Sequence, residues 1–228
     1  MWSWAWNYGC YKPHKGYLAL TFAFLCRLGF NGLLRPGEIA SLRCRHLLFT
    51  SDIMTSGEVL VICLTQPKTR RKFARRQFVT IEDKETVNWA QWFTRSLNPD
   101  DMLWPSTQAK FRSWFRKCCK RLGLPSGLFT PASLRSGGAT HLFLKQIPLD
   151  RIRLLGRWTS QSSLEIYVQE SLSRLVLQQL SNDCKLSIRL LANQGAFLWT
   201  APPYVELQRP HHAGTSADPA VMSSCGET

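Results

Sequence analysis

The stretch GEVLVICLTQPKTRRKFARRQFVTIE, residues 57–82, holds two runs rich in β-branched residues on either side of a basic segment. The runs at 57–66 and 76–82 have the composition of strands, whereas the sequence around them follows helical spacing. We therefore predict a β-hairpin, or the edge of a small sheet, within a mainly helical chain. The fold class that follows is mainly α with a small antiparallel β-sheet, an α+β arrangement.

The segment between the two predicted strands is densely basic. Such a block of like charges repels itself unless a polyanion lies against it. A solvated loop is the alternative, and the sequence leaves both interpretations open. The basic residues are Lys68, Arg70, Arg71, Lys72, Arg75 and Arg76.

Helical patterns occupy most of the remaining chain. Residues 17–30 are apolar all round and predict a buried helix that ends at Asn31-Gly32. A second helix is predicted from Pro36 to residue 49, with Ile39, Leu42 and Leu47 as its apolar stripe. Further helices are predicted over 84–97, 107–124, after Thr130-Pro131, 149–158 and 160–180.

Two of these helices carry a clear apolar face. In the helix over 84–97 this face consists of Val87, Trp89, Ala90 and Phe93. In the helix over 107–124 it consists of Phe111, Trp114 and Phe115. We expect these seven side chains in the core. The second helix also has a basic side, which is predicted to face solvent or a ligand and consists of Arg112, Arg116, Lys117, Lys120 and Arg121. The candidates for contact with a polyanion on this helix are Lys110, Arg112, Arg116, Lys117 and Lys120.

Composition indicates a globular protein with a polyanionic partner. Hydrophobic residues make up 44% of the chain, and 29 Lys and Arg against 15 Asp and Glu give a net charge of +14. Charge alone also fits a generically basic protein. None of the eight cysteines forms a CxxC pair or a zinc-type Cys/His spacing, which favours reduced thiols and an intracellular location, nuclear or cytoplasmic. No run is long enough to cross a membrane, so we expect no membrane partner.

Four stretches, taken in order, carry the strongest signal. They are LLRPGEIASL (33–42), TQPKTRRK (65–72), TPASLRSGGATHL (130–142) and LLGRWTSQSSLEIY (154–167). Together they resemble the ordered motifs of the tyrosine recombinase, or phage integrase, family. The forms SLRSGGAT and GRW look most like those of DIRS-type retroelement recombinases. The resemblance spans residues 17–180 and implies the tyrosine recombinase catalytic-domain fold, that of the DNA breaking-rejoining enzymes.

The resemblance implies a role for each matching residue. Tyr167 is the expected nucleophile, which attacks a DNA phosphate and forms a 3′-phosphotyrosyl intermediate that needs no metal or cofactor. Arg35 and Arg135 match the two arginines that stabilise the transition-state charge. Lys68 matches the general acid for the leaving 5′ oxygen. Glu38 matches the supporting acid, and Trp158 matches the position, nine residues before the nucleophile, that holds His or Trp.

The chain departs from the family pattern at two places. The family usually has His three residues before the second arginine, and here that position is Ala132, which can neither donate nor accept a proton. Ser133 and His141 are close in sequence, but neither lies at the matching position. The second departure is the expected absence of an N-terminal core-binding domain. The expected organisation is an irregular segment over 1–16, a catalytic domain over 17–195 and a disordered tail over 196–228.

Three functions are compatible with these features. The first is an enzyme that cuts and rejoins DNA during integration or excision of a mobile element. The second is a catalytically degenerate recombinase domain that binds double-stranded DNA without turnover. The third is a basic structural component of a nucleoprotein. The intact Arg35, Lys68, Arg135 and Tyr167 favour the first, because mere DNA binding requires no such spacing. Ala132 and the expected absence of the N-terminal domain favour the second.

The segment after Tyr167 is a candidate for self-association. Family members act as tetramers on two duplexes, and a C-terminal helix can dock on the neighbouring protomer. An equally good interpretation is that the segment packs on its own core. Its apolar stripe consists of Leu172, Leu175, Val176 and Leu180.

Overall fold

A computed structural model describes residues 13–50, 58–65, 76–125, 127–168, 175–176 and 178–200 of the chain. Within them the chain is mainly helical, with one three-stranded antiparallel sheet, so the predicted fold class is confirmed. The helices are α1 (Pro13–Asn31), α2 (Pro36–Ala40), α3 (Lys84–Thr94), α4 (Gln108–Arg121), α5 (Ala132–Leu144), α6 (Leu149–Gly156), α7 (Gln161–Glu165) and α8 (Asn182–Thr200). The strands are β1 (Leu47–Phe49), β2 (Leu60–Leu64) and β3 (Gln77–Ile81).

Helix α1 is the central element of the core. Every residue from Ala19 to Cys26 is buried, as expected for a helix that is apolar on all faces. The helix begins at Pro13, four residues before the predicted start, because proline is well suited to the first helical position. Phe22 lies at the centre of an aromatic cluster, with its ring centroid 5.1 Å from that of Phe111 and 6.5 Å from that of Trp104.

The two strands predicted from residues 57–82 pair as expected. Strands β2 and β3 are antiparallel, with Leu60 opposite Ile81 and Leu64 opposite Gln77. Alternate residues of both strands face the core, which gives the period of two that a half-buried sheet requires. The basic segment between the strands lies outside the described residues except for Arg76, whose side chain is exposed.

The prediction of one helix from Pro36 to residue 49 was wrong. Helix α2 ends at Ala40, a 3-10 turn follows over Cys44–His46, and Leu47–Phe49 forms strand β1 against β2. Ser41 ends the helix, since both its amide and its hydroxyl bond to the carbonyl of Glu38. Ile39, Leu42 and Leu47 are all buried, so the apolar positions were right although the secondary structure was not.

Helices α3 and α4 match their predictions closely. The side chains of Asp83 and Thr107 cap them by accepting bonds from the amides of Thr86 and Lys110. All seven side chains expected in the core from these helices are buried. The basic residues of α4 that were predicted to lie outward are exposed, and so is Lys110: Lys110, Arg112, Arg116, Lys117, Lys120 and Arg121.

The predicted helix over 160–180 is interrupted. Helix α7 ends at Glu165, and the amide of Tyr167 bonds three residues back to the carbonyl of Leu164 at 2.7 Å, which tightens the last turn. The carbonyl of Tyr167 accepts a 3.3 Å bond from the hydroxyl of Thr140 on α5. A tertiary contact therefore holds the chain where periodicity alone predicts a continuous helix.

The segment beyond Tyr167 packs partly on its own chain. Val176 and Leu180 are buried and Leu175 is exposed, whereas Leu172 lies outside the described residues. Cys184 of α8 donates to the carbonyl of Leu122 at 2.8 Å, which anchors α8 to the end of α4. Helix α8 reaches Thr200, five residues into the segment predicted as a disordered tail. No helix in the described part of the chain is long and apolar enough to cross a bilayer.

Candidate active site

Arg35 and Glu38 form the first part of the site at the start of α2. Glu38 is the third residue of the helix and accepts the amide of Arg35 at 2.8 Å through Oε2, as in a capping box. Its Oε1 accepts a 2.9 Å bond from Nη1 of Arg35. Glu38 is buried, whereas the side chain of Arg35 is 22% exposed. Arg35 therefore keeps part of its guanidinium open to an approaching anion.

Arg135 lies on the buried side of α5, near enough to Arg35 to feel its charge. Its side chain is 3% exposed and donates to the backbone carbonyls of Leu33 and Gly156. The pKa of Arg135 is lowered to about 9, by burial first and then by the charges of Arg35 and Arg157. The guanidinium remains protonated at neutral pH. It joins the turn before α2 to the end of α6.

Trp158 closes one side of Arg135. The guanidinium carbon of Arg135 lies 4.1 Å from the centroid of the Trp158 ring, a cation–π distance. The ring also covers Gly156, where an added Cβ would come within 1.6 Å of Trp158 Cζ3. The Gly-Arg-Trp sequence is thus required sterically, since only glycine lets the indole fold back over α6.

Tyr167 completes the group from the turn after α7. Its ring centroid lies 5.3 Å from that of Trp158 and 6.0 Å from the guanidinium carbon of Arg135. The side chain is half-buried. The phenol therefore stands beside the guanidinium of Arg135 without being enclosed by the core.

Arg157 is the member of the site that the sequence reasoning missed. Its Nη2 donates to Glu38 Oε2 at 2.8 Å and to the carbonyl of Leu33 at 3.3 Å. The residue is buried and has a left-handed backbone, with φ of 59°. Because arginines are usually exposed, residue type argued against a buried role. The available signal was Glu38, a carboxylate with capacity for more than one arginine.

The four charges at the centre of the site do not cancel. Glu38 is the single acid set against Arg35, Arg135 and Arg157, so two positive charges remain uncompensated among these four residues. Burial lowers the pKa of Arg157, and Glu38 opposes this shift. A partly buried surplus of positive charge with one accessible guanidinium is suited to an anion such as a phosphodiester.

The remaining predicted site residues divide into two groups. Lys68, Arg70, Arg71, Lys72 and Arg75 lie outside the described residues. Ala132 is the exposed first residue of α5, one helical turn before Arg135. Neither neighbour occupies its place: the hydroxyl of Ser133 accepts the amide of Thr130 at 3.1 Å, and the ring of His141 packs against Phe30 with centroids 5.5 Å apart.

Comparison with known proteins gives one family. The sequence model of the phage integrase family matches residues 11–174, which includes all four motifs and the whole cluster around Arg135. No curated protein matches the chain.

Proposed function

This chain belongs to the phage integrase family, and we propose that it cleaves and rejoins DNA through a covalent bond between Tyr167 and a 3′ phosphate. Membership supports DNA recombination or integration by a tyrosine recombinase and implies DNA binding. The observation that carries the finer proposal is the convergence of Arg35, Arg135, Trp158 and Tyr167, from four separate segments, within one small region.

The two arginines account for the charge that develops during cleavage. A phosphodiester under attack gains negative charge on its non-bridging oxygens, and guanidiniums match those oxygens in charge and geometry. Arg135 is held by two backbone carbonyls, and Arg35 by Glu38, so neither has to reorganise when the phosphate arrives. We assign charge stabilisation to both, by the accessible Arg35 at the phosphate and by the buried charge of Arg135 acting from behind it, with Glu38 as their support.

Tyr167 is the proposed nucleophile. Its oxygen would attack phosphorus and its phenolic proton would pass to solvent, to which the half-buried side chain is partly open, while the bond from phosphorus to the 5′ oxygen breaks as the phosphotyrosyl bond forms. The departing 5′ oxygen needs a proton, which we assign to Lys68. Trp158 would donate its indole N–H to the phosphate while its ring holds Arg135 and Tyr167 in place. The free 5′ hydroxyl reverses these steps on rejoining.

The basic side of α4 supports a surface for the DNA backbone. The apolar face of this helix packs in the core, and its exposed basic side chains can reach phosphates. We propose contacts from Lys110, Arg112, Arg116, Lys117 and Lys120, together with the basic segment from Lys68 to Arg76. We also propose that the protein acts in recombination of a mobile element and that it assembles as a tetramer on two DNA duplexes.

The test is a trapped covalent adduct. A labelled pool of duplexes with randomised sequence and a nick beside the cleavage position lets the short 5′ product diffuse away, so the protein–DNA bond accumulates. We expect an adduct that survives detergent with the wild-type protein and none with Tyr167→Phe, while binding of the uncut pool stays within about twofold, since a lost nucleophile is not a lost phosphate contact.

The matched control is Tyr17→Phe. Tyr17 stacks on Phe93 with ring centroids 5.8 Å apart, and phenylalanine keeps that stacking. This variant should form the adduct at the wild-type rate. An adduct that persists in Tyr167→Phe would show that another residue is the nucleophile.

A binding module without turnover is the second candidate, and Ala132 is the observation that favours it. The missing histidine removes a group whose loss costs roughly 10²–10⁴-fold in rate. Tight, salt-dependent binding by the wild-type protein without any adduct, at long incubation times, would select this candidate over the enzyme.

A further inference from the structure

The third arginine of the site, Arg157, is buried and bonded within its own chain. Its Nη1 donates to the carbonyl of Leu155 at 3.4 Å, and its Nη2 is shared between Glu38 and Leu33. Its Nε is buried and has no acceptor among the described residues. The side chain is 7% exposed. Three of the five N–H groups of Arg157 are therefore bonded within the chain, and burial of the side chain keeps the other two from a phosphate.

Three features of Arg157 are costly. It carries a left-handed backbone that disfavours residues with a Cβ, a charge removed from water, and an unpaired buried Nε–H. Its ion pair with Glu38 offsets only part of these costs, because buried ion pairs often contribute little net stability. Such a combination is typical of residues retained for function.

The contact with Glu38 indicates what that function is. Each oxygen of Glu38 has a distinct partner: Oε1 bonds to the Arg35 side chain, and Oε2 bonds to Arg157 and to the Arg35 amide. Without Arg157, Oε2 would still accept the Arg35 amide, but the lone pair that now accepts Arg157 would be available to the guanidinium of Arg35. The carboxylate would then bind both nitrogens of the fork and neutralise the charge that a phosphate needs.

We propose that Arg157 is a positioning residue that acts through Glu38. It engages one carboxylate oxygen, so that Glu38 pairs with only one nitrogen of the Arg35 guanidinium and leaves the rest of that guanidinium to the scissile phosphate. This inference rests on the proposed cleavage function. It assigns no contact with DNA to Arg157. The effect should therefore appear in the cleavage step of bound DNA far more than in affinity.

The first experiment is a double-mutant cycle with Arg157→Met and Arg35→Ala. Single-turnover adduct formation is measured at saturating nicked duplex, selected from the randomised pool with wild-type protein. Arg157→Met should slow cleavage by roughly 10- to 100-fold, the loss expected when a catalytic group is misplaced, and should change the Kd by less than about threefold, since phosphate contacts elsewhere dominate affinity. In the Arg35→Ala background, Arg157→Met should cost nothing more.

The matched control is Arg153→Met. Arg153 lies on α6 and makes a 3.5 Å pair with Asp150, which is mostly exposed, so the variant removes the same charge from the same helix without touching Glu38. It should cleave at the wild-type rate. Equal losses from Arg157→Met in both backgrounds would indicate a merely structural role and overturn the proposal.

A second measurement needs no cleavage. In the free wild-type protein, NMR should show slow rotation of the Arg35 guanidinium about its Nε–Cζ bond, with inequivalent Nη groups. Glu38→Gln should speed that rotation, and Arg157→Met should shift the Nη signals toward a symmetric, doubly bonded fork. If Arg157→Met does not fold, Arg157→Lys is measured instead, because it keeps the charge but cannot bond Glu38, Leu33 and Leu155 together.

The two proposals fail in different ways. Absence of an adduct with wild-type protein overturns the cleavage function. A wild-type adduct with an unchanged rate in Arg157→Met, or unaltered Arg35 signals in that variant, overturns the positioning role alone.

Discussion

Two regions of this molecule are stabilised in different ways. The apolar body, formed by α1, the sheet, α3 and α4, encloses a large cluster of buried side chains around Phe22 and Trp104. The charged layer, formed by the turn before α2 and by α5 to α7, has a second cluster of only five buried apolar residues, among them Leu33 and Trp158. The buried polar residues of this layer include three charged side chains, Arg135, Arg157 and Glu38.

The difference explains where substitutions should affect function. Contacts in the apolar body are numerous and non-directional, so many apolar side chains of similar volume satisfy them. The charged layer depends on a few directed bonds and on three left-handed residues, Leu33 with φ of 48°, Gln146 with φ of 61° and Arg157 with φ of 59°. Small changes there should alter geometry at the site while the body remains folded.

The largest expected effect is on the rate of adduct formation, when the missing histidine is introduced into the charged layer. Ala132→His places an imidazole on the exposed first turn of α5, one turn before Arg135, and should raise the rate of adduct formation by roughly 10²-fold or more, because proton transfer by a positioned side chain contributes 10²–10⁴-fold. Single-turnover kinetics on the nicked duplex measures the change. Ala132→Leu, which adds volume without a donor or acceptor, should leave the rate unaltered, and equal gains from both variants would contradict this explanation.

The next effect separates the two regions by stability. Gly156→Ala places a Cβ 1.6 Å from Trp158 Cζ3 and should lower the free energy of unfolding by about 3 kcal/mol, at the upper end for overpacking, because a rigid indole has to move. Urea denaturation followed by circular dichroism measures it.

Gly37→Ala is the control for that change. A Cβ at Gly37 meets nothing within 4 Å, and alanine is the better helix former, so this variant should gain about 0.5–1 kcal/mol. A neutral result for Gly156→Ala would mean that the indole does not lie over α6.

The smallest effect concerns the outer surface of the body. Arg116→Gln and Lys120→Gln together should reduce the slope of log affinity against log salt by about 2, roughly one for each phosphate contact removed, without changing stability. Fluorescence anisotropy with labelled duplex between 50 and 200 mM salt measures the slope. Arg95→Gln, at the end of α3 and also exposed, should leave it unchanged. A comparable fall with Arg95→Gln would indicate diffuse attraction rather than contacts from α4.

The predictable parts of the fold share a physical basis. Helices α3 and α4 were predicted with their buried residues because the buried face of an amphipathic helix has an apolar residue at every third or fourth position. Val87, Ala90 and Phe93 of α3 show this spacing. Strands β2 and β3 were predicted in the same way from a period of two. The stretch from Cys44 to Phe49 was not, because its apolar residues fit a helix and pairing with β2 decided the outcome.

The candidate site divides along the same line. Arg35, Glu38, Arg135, Trp158 and Tyr167 were identified from motif order, and the fold brings them together. Their roles in catalysis stay predictions. Arg157 was passed over because the pattern of residue types around it gives no sign that it is buried. Its proposed role depends on its bond to Glu38, which is distant in the chain.

The sequence by itself determined the mixed class, the buried faces of α3 and α4 and the identity of the family, since each depends on residue types and spacings that are local or strictly ordered. Only the tertiary structure decided that Leu47–Phe49 is a strand, that the chain turns at Tyr167, and that Arg157 is buried against Glu38. The reason is that pairing, burial and charge compensation are interactions between segments, and no window of sequence contains both partners.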